Sequence, residues 1–504
     1  MESTRFTFRP STALPPLAWL AAIADGAVDV QCGSSVRCTD RGFVEGTWVG
    51  EPDITSLPRS TTVFGSGLVD DGQGLVLVPP SHPLERLYLQ RSDGRLLASN
   101  SLVWLLEATG VELDADTPYP PIFVRAAEGV RHTILEVPTT GAPIQAAVYH
   151  NVRLWPGPEP QVEPRPRELP FSSYADYRGR LADALRSALA NAPRYEMVAT
   201  ISSGYDSTAV ACIAAEVGCR RAVTFPTSKP VAGGTAADSG ASTAERLGMA
   251  VEKFDRLSYL ERTDLPEAEF LATGMTGEDV VMIAMEQSIS RSILLTGSEE
   301  FRLKGNPYRP GLYRGDLSSC SLTELRLRTD FIHLPLLFFG ASEQPSLIQI
   351  IDSAEMHPFS VKGLYDKPIQ RRIAEDAGIP RGTFATLKRR SSASIHRDGL
   401  AAMTPLSAAS VREFAARHGG SLDHHHRFTI RRRHRLLLRT ARLLRLDRFT
   451  AGLAARRRSL IHFEPEFGSL LFRWAADHVR PRYRVNQGQD LQPVLLGDSD
   501  PPSG

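Results

Sequence analysis

An alternation of apolar segments and helical periodicities, beginning near residue 172, most constrains the fold of this chain. Ser172 or Ser173 is predicted to cap a helix whose apolar residues recur every three or four positions. This helix is followed by a predicted strand at 197–201, a helix at 206–217, and strands at 222–225 and 292–296. Strands that alternate with helices in this way favour a parallel sheet with crossover helices.

The preceding 150 residues have a different pattern of short apolar runs, and a turn at Ser92-Asp93-Gly94 predicts a hairpin between two of them. Six prolines between Arg153 and Pro170 favour an extended linker. We therefore expect an α/β chain with a β-rich domain at 1–152, a linker at 153–171, a parallel-sheet domain at 172–400, an arginine-rich helical region at 401–487 and a disordered tail at 488–504.

The composition excludes a disordered chain, a collagen and a disulfide-rich scaffold. The chain has 504 residues, 42% of them apolar, with 58 basic and 57 acidic side chains, as in ordinary globular proteins. No apolar run approaches the roughly 18 residues of a membrane-spanning helix, so we expect no membrane partner. Five cysteines without a CxxC pair favour a reducing cytoplasm. We interpret Leu14 to Ala24 as a buried first helix rather than an export signal.

The segment Val198 to Thr208 (VATISSGYDST) runs from an apolar strand through small residues into a helix. Small residues let backbone N–H groups turn inward, and a helix N-terminus carries about half a positive charge, so the segment predicts an anion site. The hydroxyls of Ser202, Ser203 and Ser207 can donate hydrogen bonds to a pyrophosphate. Asp206 is a natural Mg²⁺ ligand beside phosphates. The alternative is a strand-to-helix turn capped for structural reasons.

This segment resembles the SGGxDS signature of the PP-loop ATP pyrophosphatases, with Gly204, Asp206 and Ser207 matching and Ser203 replacing a glycine. The resemblance narrows to the asparagine synthetase-like branch, which includes β-lactam synthetases and lasso-peptide cyclases. It implies ATP and Mg²⁺ as cofactors, an adenine nucleotide α-hydrolase-like fold for the parallel-sheet domain, and nucleotide contacts from Ser202, Ser203, Thr224 and Phe225.

Later segments resemble the same branch. Asp238-Ser239 corresponds to an acidic pair after the second strand, and Leu294 to Glu300 (LLTGSEE) to a turn whose carboxylate shares the metal. The resemblance implies Glu299 or Glu300 as the second Mg²⁺ ligand. The alternative for both glutamates is a solvated turn.

Two further segments supply candidate catalytic residues. Ser321 to Arg326 resembles an E-x-R segment that shapes the substrate pocket, which makes Glu324 a candidate, and Tyr365 to Arg372 resembles a K-x-x-L-R helix. Lys388 stands where the branch has a lysine that contacts pyrophosphate and the tetrahedral intermediate; the alternative is a basic surface loop. Glu324, His333 and Tyr365 all remain open as the general base.

The β-rich domain resembles the N-terminal nucleophile (Ntn) glutaminase domain of asparagine synthetase without its N-terminal cysteine. Position 2 is Glu2 and the first cysteine is Cys32. We therefore expect a degenerate glutaminase-like domain, and an amide ligase that adenylates a carboxylate and couples it to an amine or ammonia. Two alternatives stay open: a catalytically retired binding or regulatory subunit, and a PP-loop enzyme that modifies tRNA.

The segment 427–458 contains twelve arginines and one acid, Asp447. It predicts either a solvated helical face or a surface for an acidic carrier protein or peptide. Because aromatic residues are sparse there, nucleic acid is the less favoured partner. His424 to His426 are consecutive and therefore point in different directions, so we expect no metal at them.

Overall fold

The computed structural model describes residues 4–24, 26–125, 134–154, 159–229, 237–298, 318–361, 366–385, 391–393, 395–424 and 465–484. Within them the chain is a mixed α/β protein, with a β-rich N-terminal region followed by a parallel sheet and helices, which confirms the predicted class. No helix in these residues is both long and apolar enough to cross a membrane.

Two sheets form the described N-terminal region, with the strand orders β1-β3-β2-β9-β8-β11-β10 and β13-β12-β7-β6-β5-β4. The strands are β1 (Arg5–Ser11), β2 (Trp19–Ala24), β3 (Ala27–Gly33), β4 (Arg37–Thr39), β5 (Gly42–Trp48), β6 (Val63–Asp70), β7 (Leu75–Val78), β8 (Leu87–Ser92), β9 (Arg95–Ser99), β10 (Ile134–Val137), β11 (Ile144–Ala147), β12 (Asn151–Arg153) and β13 (Gln161–Glu163). The sheets stack face to face around one apolar core, in which the rings of Trp19 and Phe43 lie 4.9 Å apart.

Three local predictions can be compared with these strands. The hairpin is confirmed: Ser92 pairs with Arg95, and positive φ angles at Asp93 and Gly94 give a two-residue turn. The helix expected at Leu14 to Ala24 is wrong, because Trp19–Ala24 forms a strand between β3 and β9, where tertiary pairing outweighs local propensity. The described part of the proline-rich segment contributes the edge strand β13.

The parallel sheet has the order β16-β15-β14-β17-β18, and its neighbouring strands are all parallel. Its strands are β14 (Glu196–Thr200), β15 (Arg221–Thr224), β16 (Ala250–Lys253), β17 (Ser292–Leu295) and β18 (Ile332–Leu334). Successive residues of β14 and β17 pack into different cores, since Val198 and Leu294 lie in one and Ala199 and Leu295 in the other. Burial on both faces explains the consecutive apolar residues in the middle of these strands.

The helices of the described residues cover both faces of this sheet and join it to the N-terminal region. They are α1 (Leu102–Thr109), α2 (Tyr119–Val124), α3 (Tyr174–Ala190), α4 (Tyr205–Glu216), α5 (Ala241–Arg246), α6 (Glu267–Leu271), α7 (Glu286–Ile289), α8 (Thr323–Thr329), α9 (Gln344–Asp352), α10 (Pro368–Asp376), α11 (Ile395–Asp398), α12 (Pro405–His418) and α13 (Pro465–Val479). The Ser173 hydroxyl accepts a hydrogen bond from the Asp176 N–H and so caps α3, as predicted.

Burial of His82 predicts a stability that depends on pH. The side chain is fully buried, and burial lowers its pKa to about 3 because the imidazolium form is disfavoured. Unfolded histidine titrates near 6.5, so between pH 6.5 and 3 the unfolded chain binds a proton that the folded chain does not. We expect this group to lower the free energy of unfolding by about 1.4 kcal/mol per pH unit as the pH falls through that window.

Urea unfolding of His82→Leu and the wild type between pH 7 and 5 measures this contribution. His150, whose pKa burial lowers to about 4, serves as an internal reference because it contributes a similar slope in both proteins. An unchanged pH dependence in His82→Leu would contradict the prediction.

Candidate functional site

The chain reverses direction across the parallel sheet at β14. From β14 it proceeds through α4 and α5 to β15 and β16 on one side, and then returns to β17 and β18 on the other. In open α/β sheets such a switch leaves a crevice at the carboxyl ends of the strands, where ligands bind. The segment predicted as an anion site lies at this point, because it joins the carboxyl end of β14 to α4.

Hydrogen bonds within the loop hold two serines side by side. The Ser202 N–H donates to the Ser207 hydroxyl, and the two hydroxyl oxygens lie 2.8 Å apart. The Gly204 N–H donates to the Ser202 hydroxyl over 3.1 Å. The loop is therefore closed on itself, with both hydroxyls at the N-terminal end of α4.

Ser203 contacts a different partner from the one expected. Its hydroxyl donates to the Asp238 carboxylate over 2.6 Å, and its N–H donates to the Asp238 carbonyl over 3.2 Å. Its φ is not positive, so a serine fits where the signature has glycine. Ser203 thus joins the loop to the segment before α5. We did not predict Asp238, which lies in that segment, as a site residue.

The N-terminal end of α4 presents backbone donors to the crevice. Gly204 is the N-cap and has no side chain to accept from the helix, so within the described residues the N–H groups of Asp206 and Ser207 stay available to a ligand. Gly297, just beyond β17, lies directly against them: a Cβ on Gly297 would be 2.5 Å from the Ser207 nitrogen. The missing side chain lets the end of β17 pack this closely against the first turn of α4, and the two segments border a candidate phosphate cradle.

A lysine that we did not predict as a site residue lies in this cradle. The Lys367 Nζ is 2.7 Å and 2.6 Å from the two carboxylate oxygens of Asp206, and its side chain is only 9% exposed. Two sequence signals pointed to Lys367: it is one of six lysines in 504 residues, and it lies in the segment that resembles a K-x-x-L-R helix. The 161 residues that separate the partners hid the pairing.

Packing of α10 against α4 sets the position of Lys367. Arg371, one turn into α10, donates to the hydroxyl of Tyr205, the first residue of α4, and its guanidinium lies 5.0 Å from the centre of that ring. Tyr205 is fully buried. A cation fixed over a buried ring holds the start of α10, and with it Lys367, beside the loop.

Thr224 and Phe225 lie at the carboxyl end of β15, beside the loop, as the parallel pairing of Thr200 with Val223 requires. Thr224 is buried, and its hydroxyl accepts from the Gly240 N–H over 3.2 Å. Phe225 is 9% exposed. Thr224 therefore supports the neighbouring turn, while Phe225 presents an apolar edge at the crevice.

Glu324 lies in a different environment. It is buried on α8, where its carboxylate accepts from the Ser101 hydroxyl over 2.7 Å and from the Tyr483 hydroxyl over 2.6 Å. Burial raises its pKa, although both hydroxyls favour the ionised form. Within the described residues its hydrogen bonds join the N-terminal region to the segment after α13, and none reaches the loop.

Several predicted residues lie outside the described part of the chain: Glu299, Glu300, Tyr365, Lys388, and the arginines of 427–458. One described contact leads toward Lys388, because the N–H of Ala385, three residues earlier, donates to the Ser203 carbonyl over 2.6 Å. Three residues of chain span at most about 10 Å. Ala385, the last described residue before the segment that contains Lys388, is therefore in contact with the loop.

Metal ligands were also sought among the described residues. They contain no group of three or more histidine, cysteine, aspartate or glutamate side chains that could hold a metal ion. Mg²⁺ in phosphate sites usually takes one or two carboxylates, and phosphate and water oxygens complete its coordination. Asp206 offers such a carboxylate beside the cradle, where it is paired with Lys367.

Comparison with known protein families gives no match, and no curated protein matches the chain either. The inference of function rests on the geometry of the loop and its neighbours.

Proposed function

We propose that this chain is an ATP-dependent ligase of the asparagine synthetase-like PP-loop type, which forms an amide bond and releases AMP and pyrophosphate. One observation carries the proposal: the SSGYDS loop lies at the carboxyl end of β14, the strand where the sheet order reverses, and leads directly into the N-terminus of α4. A strand, a short loop of small residues and a helix N-terminus together favour phosphate binding.

The proposed reaction has two steps. An oxygen of the substrate carboxylate attacks the α-phosphorus of ATP, and pyrophosphate leaves, which gives an acyl-adenylate. An amine or ammonia then attacks the acyl carbon, AMP leaves, and the nitrogen loses a proton. Because both leaving groups are phosphates, the protein contributes mainly by positioning the reactants and neutralising negative charge.

The residues of the loop are suited to positioning the phosphates and neutralising their negative charge. The N–H groups of Asp206 and Ser207 and the hydroxyls of Ser202 and Ser207 are placed to donate to phosphate oxygens. The ammonium of Lys367 supplies a positive charge at the same place. When bound, Mg²⁺ neutralises phosphate charge, and Asp206 would hold it with Glu299 or Glu300. Lys388 remains our candidate for the developing oxyanion, supported by the contact of Ala385 with the loop.

Glu324 is a weaker candidate for a catalytic group, since its carboxylate is occupied by Ser101 and Tyr483. We propose a structural role for it. Of the other candidates for the general base, His333 is buried with its Nε2 at the Thr296 hydroxyl, which favours a structural role, and Tyr365 stays a prediction.

The nitrogen donor we propose is not glutamine. A glutaminase of this type needs an accessible thiol, whereas Cys32, Cys212, Cys219 and Cys320 are buried, and burial raises the pKa of Cys212 to about 12. Cys38 is half-buried, and its hydrogen bond with Cys32 together with burial raises the pKa of its thiol. We propose that the two stacked sheets are a glutaminase-like scaffold without that chemistry. Incubation with ATP, Mg²⁺ and glutamine should release no glutamate; stoichiometric glutamate would contradict this.

The test of the proposed function has two stages. Calorimetry should detect ATP binding that strengthens with Mg²⁺, and exchange of labelled pyrophosphate into ATP, screened over amino acids and peptides, should identify the acid. Exchange that depends on one acid and on Mg²⁺ is the expected result. No ATP binding by the full chain would overturn the proposal.

One observation favours a second candidate, a retired binding or regulatory subunit. The Lys367–Asp206 ion pair already neutralises the carboxylate that the metal requires. If the ion pair persists in solution, the chain binds ATP equally well with and without Mg²⁺ and shows no exchange with any acid. That outcome would favour the second candidate over the ligase.

A further inference from the structure

A cluster of buried charges joins the N-terminal sheets to the parallel sheet. Arg326 of α8 lies 3.0 Å from the carboxylate of Glu45 on β5 and 2.8 Å from that of Glu85, just before β8. All three side chains are at most 3% exposed. Arg326 is the common partner that fixes both carboxylates against α8.

His333 of β18 extends this cluster toward the candidate site. Its Nδ1 lies 3.5 Å from the Glu85 carboxylate, and its Nε2 lies 2.9 Å from the Thr296 hydroxyl. The contact with Glu85 lies outside hydrogen-bond geometry and acts through charge. A carboxylate on that side favours the tautomer with the proton on Nδ1, which leaves Nε2 to accept from Thr296. The ring is fully buried, so neither contact is shared with solvent.

Thr296 directly precedes the glycine that lies against the loop. Its N–H donates to the Leu334 carbonyl, which fixes its backbone to β18, and its hydroxyl is fixed by His333. The next residue, Gly297, has its Cα so close to the first turn of α4 that a Cβ would collide with Ser207. The orientation of Thr296 therefore determines where Gly297 lies beside the phosphate cradle.

We propose that His333 is a positioning residue: held by Glu85 of the N-terminal region, it fixes Thr296 so that Gly297 lies against the N-terminus of α4. The N-terminal region thereby becomes part of the phosphate site although it contributes no side chain to the ligand. This inference rests on the proposed function for its ligand, while the packing it describes is independent of that ligand.

Without His333, the Thr296 hydroxyl would lose its partner, and the turn that contains Gly297 would be less well fixed. A buried threonine hydroxyl without a hydrogen-bond partner is destabilising, so the side chain rotates or shifts until it finds one. Gly297 has no side chain to resist such a shift. Binding sites lose affinity when their donors depart by about half an ångström from the productive arrangement.

His333→Leu and His333→Gln test the proposal. Leucine removes both contacts, whereas the glutamine carbonyl can still accept from Thr296. We expect His333→Leu to weaken Mg²⁺·ATP binding by about 10-fold and to accelerate hydrogen exchange of the ligand-free peptide that covers 202–208. His333→Gln should restore most of both properties.

Tyr195→Phe is the matched control. It removes a hydrogen bond of 2.7 Å to Asp330, which lies before β18 at the opposite end of the sheet. It should lower stability to urea without changing ATP affinity or exchange in 202–208.

The outcomes separate the two proposals. If His333→Leu changes neither exchange nor affinity more than Tyr195→Phe does, or if His333→Gln behaves as His333→Leu does, the positioning role is wrong. If the wild type binds no ATP, the proposed function fails, and the exchange measurement alone still decides the role of His333.

Discussion

Replacing Asp206 with asparagine should lower Mg²⁺-dependent pyrophosphate release from ATP by about 100-fold or more. The substitution keeps the shape of the side chain but removes the negative charge beside the phosphate cradle. Among the described residues, Asp206 is the carboxylate that lies in the cradle, where it is paired with Lys367. Asparagine at this position therefore removes the negative charge that a metal ion would bind. The measurement is exchange of labelled pyrophosphate into ATP, repeated at increasing Mg²⁺ concentrations.

Asp176→Asn is a matched control, since Asp176 also lies in the first turn of a helix, where its carboxylate accepts from the Ser172 N–H over 2.8 Å. It should show the same modest loss of helix-dipole stabilisation and full activity. Lys367→Met separates metal binding from charge pairing, because it should weaken ATP binding both with and without Mg²⁺. Full activity of Asp206→Asn would refute the assigned site.

Adding a single methyl group at Gly297 should weaken nucleotide binding by about 10-fold or more. The new Cβ would lie 2.5 Å from the Ser207 nitrogen and 2.9 Å from the Asp206 carbonyl carbon and the Ser207 Cα. These are backbone atoms and cannot rotate away, so β17 and α4 must separate. We expect a loss of stability of about 1–3 kcal/mol as well.

Gly179→Ala serves as the control for Gly297→Ala. Gly179 lies within α3, and a Cβ added to it would meet nothing within 4 Å, so alanine there should leave ATP affinity unchanged. It should also stabilise the chain by up to about 1 kcal/mol, because alanine favours the helix. Calorimetry with Mg²⁺·ATP and urea unfolding give the two readouts. Wild-type affinity in Gly297→Ala would show that the loop does not use the open face of α4.

The sequence was informative wherever a local pattern decides a structure. The spacing of apolar residues and a capping serine predicted α3, and the apolar segment that precedes SSGYDS predicted β14 followed by α4. The backbone geometry of these segments depends on neighbouring residues, which the sequence shows directly. The same reasoning was wrong at Trp19–Ala24, where an apolar segment of that length fits a helix or a strand until its partners are known.

The candidate site depends on contacts that local pattern cannot show. Glu324 and Lys367 are both single charged residues in weakly matching segments, and the sequence favoured Glu324. The structure places Glu324 against Ser101 and Tyr483, while Lys367 lies on Asp206. Which charges meet is determined by the docking of α8 and α10 onto elements that are distant in the sequence.

The sequence by itself determined the parallel-sheet class and the short loop of small residues between β14 and α4. Both depend on patterns that extend over only a few residues: the periodicity of strands and helices, and small residues at the start of a helix. Only the tertiary structure decided that Gly297 lies against the first turn of α4, that Lys367 pairs with Asp206, and that His333 lies between Thr296 and Glu85. These contacts arise where separate strands end at one edge of a sheet, and the order of those strands is a property of the whole fold.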